Sequence, residues 1–202
     1  MVAPSSPVSF IPLLHRLSLY ELADVDGLME WAESANREAR DLEHIRVEVS
    51  KGSPADVIEA VNAVASLHTE LVLIALWRCV ELCRKRIVGH TLGLKDAKKS
   101  FRHKDFQESM ARIAIDETCL VASQSIDELR CINNAIKHDG YVGEELARFP
   151  NWAQLENQEL GNLGHLYRAF RADAESYISD LVTKADLWWA KDQREAAEYS
   201  NT

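Results

Sequence analysis

The chain has 202 residues, enough to bury a sizeable core as one domain with short tails. Its 47% hydrophobic and 27% charged content is that of an ordinary globular protein. The formal net charge of −9 argues against general affinity for nucleic acid, and neither a basic leader nor an apolar run of membrane-spanning length is expected.

Glycine and proline are scarce, with eight and five residues. Pro4, Pro7 and Pro12 fall in the first twelve positions, so residues 1–15 read as a poorly ordered lead. The body, residues 16–190, reads as a single all-α domain, an up-and-down bundle of about four to five main helices. From Leu17 to about Val49 the pattern is helical, with Leu19, Leu22, Val25, Leu28, Met29 and Trp31 as apolar candidates. Beyond Trp31 it turns strongly charged and keeps only a narrow stripe of Ala39, Leu42, Ile45 and Val49. Ser53-Pro54 opens a second helix with Ser at the N-cap and Pro at the first helical position. This helix should reach about Val88, and its apolar face is widest from Leu71 to Trp77, as expected at the centre of a bundle.

Gly89 to Gly93 ends that helix. From Arg84 to Lys104, eight basic residues stand against Asp96 alone, a local charge of +7. Lys98, Lys99 and Arg102 make its centre a candidate site for a polyanion; a lysine-rich, solvated loop is the plainer reading. A short helix is expected over 106–113. A longer helix should start at Asp116 or Thr118 and end at Lys137 or His138 before Gly140. A short piece over 144–148 ends at Phe149-Pro150, and residues 151–162 read as a loop packed down by Trp152. The last helix is expected from about Leu163 to Trp189, followed by a frayed tail over 191–202.

Cys79, Cys83, Cys119 and Cys131 all lie among apolar neighbours, which suits buried free thiols in the cytoplasm. No second ligand pair accompanies Cys79 and Cys83, so no metal and no cofactor is expected.

The residues that carry chemistry gather in the helix that precedes Gly140. Arg130, Asn134 and His138 are spaced four apart, so at about 100° per residue they climb the helix as one polar stripe. Ile126, Leu129, Ile132 and Ile136 share the buried arc, with Asn133 at its edge. The stripe reads either as a chemical site or as a solvated face, because Lys137 and His138 suit the negative end of a helix.

Asn133-Asn-Ala-Ile-Lys-His138 resembles the signature of HEPN domains, in which Arg-Asn-x-x-x-His lies near the end of a helix in an all-α bundle. The resemblance implies a homodimer that brings two motif helices to one cleft. It also implies a metal-independent ribonuclease of a toxin–antitoxin or antiviral defence system, with RNA as substrate and an antitoxin as partner. On that scheme His138 moves the proton at the 2′-OH, Arg130 holds the phosphate and Asn134 orients the pair, with Asn133 and Lys137 as binding residues. Imidazole and guanidinium chemistry suit those roles. The chain departs from the signature by placing Asn133 where the strict motif has Arg. The alternative is a non-catalytic helical module that uses the same stripe to bind a partner or nucleotide.

Overall fold

A computed structural model describes residues 11–50, 54–99, 102–138, 140–161 and 163–199, without the side chains of 42–50, 54–57, 60 and 99. The described residues form seven α-helices and no strand: α1 Ile11–Ser50, α2 Pro54–Thr91, α3 Leu94–Lys99, α4 His103–Arg112, α5 Ser123–His138, α6 Glu144–Ala147 and α7 Leu166–Tyr199. The chain is an all-α helical bundle.

Its helices build two compact units. The first takes α1 up to Tyr20, Cys79–Gln124 and α7 from Asp173 onward. Its interior holds Val80, Cys83, Ile87, Phe106, Met110 and Tyr177, none more than 2% exposed. The second takes Glu21–Arg78 and Ser125–Ala172, around Leu22, Leu73, Leu76, Ile126, Leu129 and Ile132. Burial of these side chains contributes roughly 1.5–3 kcal/mol each, which makes helices of ordinary propensity persist.

Several boundaries differ from those the sequence suggests. α1 begins at Ile11, which is fully buried, so residues 11–15 belong to the helix. Pro12 sits in the first turn, where its missing N–H breaks no helical bond. The basic connector folds in part, as α3, and Arg112 reaches back to Asp96 at 2.7 Å. α5 starts at Ser123 rather than at Asp116 or Thr118. Asp116 instead caps a 3₁₀ turn, Glu117–Cys119, by accepting from the Thr118 N–H, and Ala122 at φ 56° separates that turn from α5. Past Trp189, α7 continues to Tyr199 instead of fraying from 191. No Gly or Pro interrupts it, and Lys191 pairs with Glu195 one turn on. Cys119 is exposed, which corrects the expectation of four buried thiols; Cys79, Cys83 and Cys131 are buried.

α2 is the most apolar of the long helices. By length and composition Val61–Thr91 matches a membrane-crossing helix, as core helices of globular proteins also can: its most apolar 18-residue window has a mean hydropathy of 1.5, and 33% of that window is buried.

Candidate functional site

In the second unit, α5 ends as its sequence dictates. Gly140 takes φ +73°, and its N–H returns to the Ala135 carbonyl at 2.9 Å. A side chain at that φ is strained, so glycine stops the helix there. The Gly140 carbonyl then accepts from the Leu160 N–H at 2.6 Å, and Tyr141 bridges Glu159, which ties loop 151–161 to the end of α5. As the sequence suggests, Trp152 is buried; its indole N–H donates to Glu128 at 2.7 Å.

The stripe on α5 is present, but its members have different surroundings. His138 and Lys137 are exposed on the last turn, and Asn134 is half-buried one turn below His138. Asn133 is 2% exposed, and its Oδ1 has no hydrogen-bond partner among the described residues. Arg130 turns away from this end. Its Nε donates to Asp127 at 2.8 Å, one N–H reaches Glu145 at 3.3 Å and another meets the Cys131 sulfur at 3.2 Å. Burial acts to lower the Arg130 pKa, but the hydrogen bond to Asp127 and the charges around it raise it above its usual value. Helix rise separates the backbones of Arg130 and His138 by about 12 Å, and Arg130 extends back toward the N-terminus. The structure therefore brings Asn134, Lys137 and His138 together and leaves Arg130 in an ion-pair cluster.

Sequence reasoning missed the rest of that cluster. Arg148, just beyond α6, pairs with the second oxygen of Asp127, so one carboxylate holds two guanidiniums. The buried Cys131 thiol lies beside them, its pKa pushed up to about 11 by burial against the lowering effect of Arg130. Nothing in the local spacing signals Arg148, because its partner lies 21 residues earlier.

The basic residues of the connector belong to the first unit, whereas the α5 stripe belongs to the second. Lys98 and Arg102 are exposed, and the Lys99 side chain lies outside the described residues.

The first unit holds a second constellation that the sequence reading did not name. Arg84, Glu117 and Tyr177 are 4%, 6% and 0% exposed. Arg84 pairs with Glu117 and donates to the Tyr177 hydroxyl at 3.0 Å, and that hydroxyl donates to Glu117 at 3.0 Å. The guanidinium also lies over the Phe106 ring at 4.7 Å. Burial raises the Tyr177 pKa, which keeps the phenol protonated as a donor. His103 Nδ1 lies 3.7 Å from the other Glu117 oxygen. An open cavity of about 510 Å³ adjoins Glu117 and is lined by Gln107, Ala111, Ala114, Ile115, Asp116 and Thr118. Arg84 had a readable signal, since it stands four residues from both Val80 and Val88 on the buried face of α2.

Among the described residues no three His, Cys, Asp or Glu side chains converge as a metal site. Comparison with protein-family models, with curated proteins and with solved structures finds no match to this chain.

Proposed function

We propose that the chain is a non-catalytic helical interaction module of HEPN-like type, with the Asn134–Lys137–His138 end of α5 as part of its binding surface. The observation that carries this reading is the engagement of Arg130. With its guanidinium on Asp127, Glu145 and the Cys131 sulfur, no arginine of α5 stands beside His138 to bind a scissile phosphate. The helix end itself also disfavours an anion, because the last turn carries the negative pole of the peptide dipoles. Lys137 and His138 offset that pole and offer donors to acceptor groups of a partner protein.

A second reading is favoured by the exposure of His138, with Asn134 one turn away. On it the chain is a metal-independent ribonuclease, and a second protomer supplies the missing cation. Incubation of mixed RNA with the purified protein in EDTA separates the two. The expected result is no 2′,3′-cyclic phosphate ends above those left by His138→Ala. Cleavage that disappears in His138→Ala and persists in His165→Ala would overturn the non-catalytic reading.

A further inference from the structure

Burial on α2 begins at Val72, and the described residues leave the apolar side chains before it uncovered. At about 100° per residue, Val72, Leu73, Leu76 and Trp77 share an arc, and all four are buried. Val64, Leu67 and Leu71 fall on the opposite arc and are 47%, 53% and 49% exposed. From Ile58 to Leu71 no described side chain of α2 is buried. The Trp31 ring of α1 lies 5.5 Å from the His68 ring, one turn from both Val64 and Leu71. Trp31 is 60% and Leu28 39% exposed, so the patch continues onto α1 within the same unit.

We propose that this face of α2 is an interface between two copies of the chain, packed about a two-fold axis near Leu67. The area fits. These five residues leave roughly 500 Å² exposed per copy, so full coverage in two copies would bury at most about 1,000 Å², the lower bound of a specific interface. The chemistry fits as well. A two-fold contact must be its own complement. An antiparallel pairing of α2 with its copy sets Val64 against Leu71 and Leu67 against Leu67. Arg78 is the first charged residue on the Val64–Leu67–Leu71 arc after Ile58, and an antiparallel pairing centred on Leu67 puts the two copies of Arg78 at opposite ends of the contact, so no like charges meet there. A lipid surface fits less well, because membrane-surface helices carry Lys and Arg beside their apolar face. Residues 58–78 carry Glu59 and Glu70 against Arg78 alone, which is exposed two turns beyond Leu71 on the same arc, so the charge around the face is net acidic.

This interface does not depend on α5, and its test reads Leu67 rather than His138. Light scattering of the purified chain at 50 µM should give twice the mass of one chain. Leu67→Glu should halve that mass with helical circular dichroism unchanged, since the side chain is already half exposed. Leu187→Glu, exposed on α7 in the other unit, should leave the dimer intact. In a Cys119→Ser background, Leu67→Cys should cross-link to its copy under mild oxidant. A wild-type monomer would overturn the proposal, as would a dimer that is indifferent to Leu67→Glu and forms no disulfide when Leu67→Cys is oxidised. So would a monomer that binds phosphatidylcholine vesicles and loses that binding on Leu67→Glu, which would assign the face to lipid.

Discussion

At the scale of single residues, the α5 motif separates into groups bound to structure and groups left open. Asn133 shows the difference from its neighbour Asn134. It sits inside the core, and its Oδ1 accepts no hydrogen bond from any described residue. An unpaired buried carbonyl costs on the order of 1–3 kcal/mol. Asn133→Leu is of similar volume and removes that cost, so it should raise the midpoint of thermal unfolding, by the equivalent of about 1 kcal/mol or more. A fall in the midpoint would show that the amide is satisfied in solution. Cys131 makes a second case. Its thiol pKa is pushed up to about 11 by burial, above the value of an unfolded chain. The folded state thus holds this proton longer. Its contribution is complete below the ordinary thiol range and is lost as pH rises toward about 11. Urea titrations at pH 9 and pH 11 should show a stability loss that is smaller in Cys131→Ala. At pH 8 iodoacetamide should label the exposed Cys119 and spare Cys131.

At the scale of elements, the long periodic helices were legible in the sequence and their joints were not. Burial periodicity located the middle of α1, α2, α5 and α7, and Gly140 marked the end of α5 because only its φ permits that return. The start of α5 was misplaced because Asp116 is a good cap that serves a 3₁₀ turn instead, and Ala122 adopts positive φ with no glycine there to announce it. α4 ends in the same way. The Ile115 N–H returns to the Met110 carbonyl at 3.0 Å across Ala114, which is held at φ 55°. That is a helix-ending turn built with alanine where glycine is the usual residue. The left-handed conformation costs a non-glycine residue roughly 1–2 kcal/mol, more than the chain entropy that glycine adds to the unfolded state. Ala114→Gly should therefore stabilise the protein by up to about 1 kcal/mol, read by thermal unfolding. A loss of stability would mean that the Ala114 methyl contributes more by packing than its backbone loses in strain.

At the scale of the molecule, the most deeply buried chemistry belongs to one unit and the motif that draws attention in the sequence to the other. The α5 stripe was readable because its members share one helix. The Arg84–Glu117–Tyr177 cluster was not, because its members come from three segments and meet only through the tertiary fold. This cluster also makes the most demanding claim on stability. An ion pair held this deep gives up hydration of both charges, so its net value is small, while removal of one partner strands the other. Arg84→Met should cost about 3–5 kcal/mol, because Glu117 is then left charged or must take up a proton inside the first unit. Tyr177→Phe should cost less, since the Arg84–Glu117 pair survives it. The double variant Arg84→Met with Glu117→Leu removes both charges and should recover most of what the single change loses. Urea unfolding of the wild type, of Arg84→Met and Glu117→Leu singly and of the double variant gives the coupling directly. If the double variant is as unstable as the sum of its single variants, the charges do not act as a pair, and Phe106 and Tyr177 stacking on Arg84 holds this part of the core instead. If it recovers, the buried pair contributes specificity of packing more than stability, and the cavity beside Glu117 is bounded by a charge arrangement that the fold can replace with apolar side chains.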